Sequence, residues 1–289
     1  ASRSSERLRL RRDLDRAMAG DELRLYYQPI VAAETLEPHC LEALVRWCHP
    51  SRGVLAPGAF LGLLTGSAER MLRLLQIQIE RALADLDAIR PIAGKLAVNV
   101  DARLIGRSEA FALLEPLHAS LERSRHALCV ELTEVAFGEQ PAKLQSFIHD
   151  IRREGMQLAI DDFGVGRASL LRLSEISFDI LKVDRAFIRG IAVSARDRTI
   201  SALAAKVAGE LSGTSVAEGV ETTSQVAWAR QLGYHALQGF RIARPMPPAA
   251  LAAWHARWQA VERPRLLAEM AALEGARVRP RPPSDLSDN

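Results

Sequence analysis

Asp161 and Asp162 stand side by side at the end of an apolar run, QLAIDD, residues 157–162. Burying one carboxylate is costly, and burying two in succession is worse unless positive charge lies beside them. The same signature recurs along the chain. Asn99, Glu131, Lys182 with Asp184, Glu218 and Gln238 each fall at or just after the C-terminal end of a separate apolar run. Carboxylates, an amide and a lysine brought to one place would repel each other if left bare. Divalent cations resolve the repulsion, since hard oxygen ligands suit Mg²⁺ or Mn²⁺. Adjacent aspartates can serve two such ions. A two-metal site generates hydroxide at neutral pH and clamps the attacking and leaving oxygens of a phosphoryl transfer. Each residue taken singly is better read as a loop or capping acid; the whole set, at successive strand ends, is not.

What must position these residues is a set of short strands. Eight runs read as buried strands: 23–31, 41–47, 95–100, 127–134, 157–162, 180–184, 214–221 and 236–240. Between most of them lie helical patterns. Residues 74–89 and 142–155 space apolar side chains at three and four, Gly155 stands at a helix-stop position, and helices also fit 196–211 and 223–232. Runs 23–31 and 41–47 are too close for a crossover helix and suit a hairpin or meander. The pattern predicts an α/β fold, a modified (β/α)8 TIM-like barrel with a non-standard first strand connection. A doubly wound open sheet competes, but it would spread the polar residues along an edge, whereas a barrel converges its strand ends on one face.

Composition sets outer limits. The chain has 289 residues, 48% of them apolar and 25% charged, which is ordinary for a globular protein. Its formal charge of +3 is local: residues 1–16 hold six arginines against three acids, a pattern read as a solvated helix face. No apolar run approaches a membrane span and no signal peptide is visible. Cys40, Cys48 and Cys129 are too few and too scattered for a disulfide framework or a zinc site, so a cytoplasmic setting is expected. The histidines show no HExxH spacing, and the aromatic residues offer no platform for single-stranded nucleic acid. The DFG at 162–164 lacks the glycine-rich loop and HRD motif of a kinase. The expected organisation is a connector helix over 1–19, a barrel over 20–255, a helix over 256–276 and a disordered tail over 277–289.

Eight ordered blocks carry a family resemblance: YYQPIV (26–31), EALVRWCHP (42–50), AVNVDARL (97–104), VELTE (130–134), AIDDFGVG (159–166), LKVDRAFI (181–188), VAEGVET (216–222) and LQGFRIARPMP (237–247). In these the chain resembles the EAL domain, the cyclic di-GMP phosphodiesterase module. The resemblance implies metal positions at Glu42, Asn99, Glu131, Asp161 and Asp162, with Glu218 completing the site. It implies that Lys182 holds the attacking water, with Asp184 as a second acidic position and Gln238 near the same water. Glu42, Lys182, Asp184, Glu218 and Gln238 are thereby the expected catalytic group. Gln28, Leu44, Arg46, Asp184 and Glu221 fall at expected dinucleotide-binding positions, Arg46 being suited to a phosphate oxygen. Glu134 matches an anchor for the loop after run 127–134. The resemblance further implies two Mg²⁺ or Mn²⁺ ions, cyclic di-GMP as ligand, a homodimer, and a sensory or diguanylate cyclase domain upstream in a longer chain.

The chain departs from the family pattern in one loop. The family usually reads DDFGTGYSSL, whereas Val165, Arg167 and Ala168 here replace Thr, Tyr and Ser. The lost hydroxyls, three in all, remove hydrogen bonds worth about 0.5–1.5 kcal/mol each that Glu134 would use. Thr65 replaces a family glutamate, and Cys40 stands where glycine is common. No expected metal ligand is lost, which favours the enzyme over the alternative, a cyclic di-GMP receptor of the same fold that does not cut.

Overall fold

The computed structural model describes residues 3–64, 66–133, 141–164 and 175–278. Nine strands form one sheet: β1 Leu23–Ala32, β2 Pro38–His49, β3 Gly53–Leu55, β4 Lys95–Asn99, β5 Ala127–Thr133, β6 Gln157–Phe163, β7 Ile180–Val183, β8 Thr214–Glu218 and β9 Ala236–Gln238. Their order is β1-β9-β8-β7-β6-β5-β4-β2-β3, and an additional β1–β2 pairing closes eight of them into a barrel. Strand β3 is a short antiparallel addition to β2 outside the ring. The expected barrel is present, with its unusual first connection. Only residues 33–37 separate β1 from β2, too few for a crossover helix, so β1 runs antiparallel to both β2 and β9 while the other ring neighbours pair in parallel. The register steps at four junctions, with Glu42 opposite Ala97, Glu131 opposite Ala159, Lys182 opposite Val216 and Gln238 opposite Ile30. A closed barrel needs such a stagger to tilt its strands.

Period-two alternation divides each strand between two environments. Leu41, Ala43, Val45 and Trp47 of β2, and Leu128, Val130 and Leu132 of β5, belong to the main core shared with the surrounding helices. The alternate residues Ile30, Cys40, Ala97, Cys129, Ala159, Ile180, Val216 and Ala236, one from each ring strand, form a separate apolar cluster inside the barrel. That plug supports whatever lies above it.

The helices differ from the sequence expectation at identifiable places. The helix expected over 74–89 begins at Ala68, capped by the Ser67 side chain accepting from the Arg70 amide, and breaks at Asp85. Tyr27 explains the break. It points outward from β1, is fully buried, and its hydroxyl donates to Asp85 Oδ2 at 2.8 Å. A buried phenol needs an acceptor, and the interrupted helix supplies one. Helix Ser108–Glu122 escapes notice in the sequence because Pro116 lies inside it, yet Ala110, Leu114, Leu117 and Leu121 bury one face at helical spacing. Strand β8 ends at Glu218 rather than near 221, because Gly219 turns the chain at φ +72°. Helices Arg3–Ala19, Pro248–Arg257 and Arg263–Val278 flank the ring, and the Trp258 indole donates to the Leu36 carbonyl at 2.9 Å. The last of these helices reaches two residues into the segment expected as tail. Among the described residues no helix is long and apolar enough to cross a membrane. Thr65, Glu134, Val165, Arg167, Ala168 and residues 279–289 lie outside the described residues.

One consequence is a pH dependence of stability. Burial, reinforced by the charge of Lys95, lowers the pKa of His39 from 6.5 to about 4. Below pH 6.5 the unfolded chain therefore gains this proton before the folded one does. The stability contributed by neutral His39 is fully present above pH 6.5 and is lost as pH falls toward about 4. His39→Gln should flatten the fall in melting temperature across that window; an unchanged slope would mean that His39 is protonated as easily folded as unfolded.

Candidate functional site

Two positions beyond the apolar plug, toward the open end of the barrel, every ring strand turns a polar residue inward. These are Gln28 of β1, Glu42 of β2, Asn99 of β4, Glu131 of β5, Asp161 of β6, Lys182 of β7, Glu218 of β8 and Gln238 of β9. The expected site residues are therefore a layer inside the barrel rather than a ring on its lip. Lys182 is the centre, only 1% exposed. Its ammonium lies 3.3 Å from Glu42 Oε2, 3.0 Å from Glu131 Oε2, 3.2 Å from Asp161 Oδ1 and 2.9 Å from Glu218 Oε1. Glu42 is held further by Asn99 Nδ2, which donates to Oε1 at 3.0 Å, and by Gln238 Nε2, which donates to Oε2 at 2.5 Å. Gln238 Nε2 also reaches Gln28 Oε1 at 3.3 Å, and Gln28 Nε2 donates to the Ala243 carbonyl at 3.0 Å.

The charges do not balance. Four carboxylates face one ammonium. Burial works to lower the Lys182 pKa, but Asp161, Glu131, Glu218 and Glu42 outweigh it and hold the lysine firmly charged. Burial also raises Glu42, yet Lys182 and the two amide donors overcome it and keep this carboxyl below its ordinary range. Glu131 and Glu218 go the other way: burial and the neighbouring carboxylates push both well above the usual range. One lysine satisfies one carboxylate well and leaves the others short of positive charge.

Asp162 joins this group through a local distortion. On a regular strand it would face away from Asp161. Instead it adopts φ +57°, the β6–β7 register shifts between Ile160 and Phe163, and its amide donates to Asp161 Oδ1 at 2.9 Å. Such a bulge re-aims a side chain, and aspartate tolerates the left-handed conformation better than most residues. Gly164 follows at φ +97°, where a Cβ would stand 2.2 Å from the Phe187 ring. As a result, oxygens of Asp161, Asp162 and Glu218 lie within 4.8 Å of one another, as do those of Glu42, Glu131 and Asp161. The two triads share Asp161. Their all-oxygen donor sets and surplus negative charge fit divalent hard cations.

The remaining expected residues lie around this layer. Leu44 and Arg46 continue the inward face of β2 toward the mouth; the Arg46 guanidinium lies 5.9 Å from the Tyr26 ring centre, and its Nη1 donates to the Val45 carbonyl. Asp184 begins helix Arg185–Ile188, where its Oδ1 accepts from the Ala186 amide at 2.8 Å, so part of its role is structural. Glu221 is exposed beyond β8, with its backbone amide fixed by Gln225 Oε1 at 2.8 Å. Tyr26 received no role from the sequence, although it stands two residues from Gln28 on the same inward face. Period two along YYQPI was the signal that would have found it.

Known proteins are similar to this chain in sequence and fold. The EAL domain profile matches residues 11–245. The chain is similar to the cyclic di-GMP phosphodiesterase NbdA of Pseudomonas aeruginosa, 38% identical over 86% of this chain and 32% of the relative. It is also similar to the probable cyclic di-GMP phosphodiesterase PdeN of Escherichia coli, 32% identical over 84% of this chain and 47% of the relative. It thus spans a third to a half of those proteins. Among solved structures, the PaMucR phosphodiesterase in complex with c-di-GMP superposes with a TM-score of 0.73 at 32% identity, covering 84% of this chain and 99% of that one. With the profile spanning most of the chain and the barrel, bulge and polar layer in place, the chain belongs to the EAL domain family.

Proposed function

We propose that this chain hydrolyses cyclic di-GMP to linear pGpG in a reaction dependent on two divalent cations, Mg²⁺ or Mn²⁺. The observation that carries the reading is the pair of oxygen triads sharing Asp161 around a lysine that cannot neutralise them. Glu42, Glu131 and Asp161 would hold one cation, and Asp161, Asp162 and Glu218 the other, with Asn99 beside Glu42. Bound there, the cations supply the Lewis acidity and positive charge that phosphodiester hydrolysis requires. The chain's own groups do the rest. Lys182 is fixed by its carboxylate neighbours and can donate an N–H to the attacking water. Glu218, the most exposed of the four carboxylates around it, is placed to accept that water's proton. Gln238 Oε1 is buried without a hydrogen-bond partner among the described residues and offers the water a further acceptor. The water oxygen bonds to phosphorus, one P–O3′ bond breaks, and the proton ends on the 3′ oxygen. Arg46 would hold a phosphate oxygen at the mouth, beside Gln28, Leu44, Asp184 and Glu221. The reading extends to a cytoplasmic homodimer within a longer regulator, the last supported by the chain's spanning 32% and 47% of the two named relatives.

Chromatography of cyclic di-GMP after incubation with the protein is the direct test. Product pGpG should appear in Mg²⁺ or Mn²⁺ and vanish in EDTA, and Glu42→Ala or Asp161→Ala should abolish it. Binding without product in every metal would make the chain a receptor instead. A second expectation concerns Lys182, the resident countercharge. Lys182→Met should lose turnover and, in EDTA, lose about 3–5 kcal/mol of stability, as for a buried ionic network stripped of one partner. Added Mn²⁺ should restore part of that stability in thermal melts. Equal melting temperatures for variant and wild type in EDTA would remove Lys182 from this role.

A further inference from the structure

Helix Arg263–Val278 lies beyond the family-matched residues 11–245, yet it makes a polar junction with the site's rim. Glu269 is the hub. Its Oε2 accepts from Thr223 Oγ1 at 2.7 Å and Arg241 Nη2 at 2.9 Å, its Oε1 accepts from Arg265 Nε at 2.8 Å, and Arg241 Nε donates to Thr223 Oγ1 at 3.0 Å. These donors hold the Glu269 carboxyl down at about 2. The helix itself is docked by Leu266 and Met270, both buried in the main core.

Thr223 is two residues, and Arg241 one residue, from a group at the rim. Thr223 opens the helix that follows Glu221, and Arg241 follows Phe240, which is half exposed with the Arg244 guanidinium 4.1 Å from its ring centre. The two rim segments are tied together in the backbone: the Val220 amide donates to Gln238 O, and the Arg241 amide to Val220 O. Gly239 makes this approach possible, since a Cβ there would lie 2.2 Å from the Val220 carbonyl oxygen. The same segment reaches the polar layer, because Ala243 O accepts from Gln28. A cleft of about 470 Å³ beside this junction is lined by Glu221, Phe240 and Arg241 of the rim and by Glu269 of the C-terminal helix.

We propose that Glu269 is a positioning residue for this rim: through Arg241 and Thr223 it sets Phe240 and Glu221, so that ligand affinity depends on a helix outside the family segment while the chemical step does not. The half of this inference that concerns catalysis rests on the proposed phosphodiesterase reading; the half that concerns the rim does not.

The test compares wild type with Glu269→Ala, Glu269→Gln and Thr223→Val in the full chain, by kinetics on cyclic di-GMP and by amide hydrogen exchange without ligand. Glu269→Ala should raise KM about three- to tenfold with kcat within twofold, the scale of one net hydrogen bond or exposed ion pair. It should also speed exchange at Val220, Glu221 and Arg241. Glu269→Gln, which retains a carbonyl acceptor, should recover most of the affinity. Thr223→Val, which keeps the side chain's shape, covers the case in which Glu269→Ala fails to fold. Unchanged exchange at the rim, or a loss confined to kcat, overturns the proposal. If wild type turns over no cyclic di-GMP in any metal, the proposed function fails separately, and the exchange pattern alone decides whether Glu269 positions the rim.

Discussion

Lys182 is buried where carboxylates from four strands meet, and the architecture of the barrel follows from making that tolerable. An ammonium taken out of water is stable only among close, well-placed acceptors. Four contacts within 3.3 Å provide them, but each comes from a different strand. Glu42, Glu131, Asp161 and Glu218 therefore share one height only if β2, β5, β6 and β8 hold a fixed register relative to β7. A one-residue slip in any strand would exchange an inward carboxylate for an outward apolar side chain. The apolar plug beneath helps to fix that register. Small Ala97, Ala159 and Ala236 share this layer with Cys40, Cys129 and the larger Ile30, Ile180 and Val216, filling the narrow interior without displacing the strands.

The same constraint accounts for the bulge. Regular alternation gives a strand one inward residue per layer, so β6 on its own would contribute Asp161 and send Asp162 outward. Adding a second carboxylate at the same height requires breaking the period, and the positive φ of Asp162 with the shifted β6–β7 register does so. The strain is local and is supported from both sides. Asp161 accepts the Asp162 amide, and Gly164 leaves room for the Phe187 ring. Asp162 differs from its neighbour in environment as well as in direction. Burial and the charges of Asp161 and Asp184 raise its pKa, which marks it as another carboxylate short of positive charge.

Much of this was legible in the sequence because the inward residues carry two signals at once. Ala97-Val98-Asn99, Ile180-Leu181-Lys182 and Val216-Ala217-Glu218 each read as an apolar run ending in a polar residue, and strand length plus polarity suffices to place them. What escaped depended on contacts between distant segments. The break at Asp85 is dictated by a hydroxyl 58 residues away on Tyr27, and no local pattern carries it. The helix around Pro116 forms because its apolar face is buried against the barrel, overriding a residue that weakens helices in isolation. Asp184 illustrates the reverse case: its type and position suggested chemistry, and it also serves as an ordinary helix cap.

The polar layer and the rim answer to different forces, and this separates what each can tolerate. The layer is almost dry, and its members are held by one another, so altering one group leaves charged neighbours without partners. The rim is held from outside. Glu221 and Phe240 are exposed, and their backbones are ordered by Gln225, Val220 and the salt-bridged Arg241. Surface ion pairs are individually weak, but Glu269 gathers three donors from two rim segments and its own helix, and a network loses less to side-chain entropy per bond than an isolated pair does. The rim is therefore held by exposed contacts and the layer by buried ones. That division lets the rim vary, through residues as remote in sequence as Glu269, without disturbing the charge balance around Lys182.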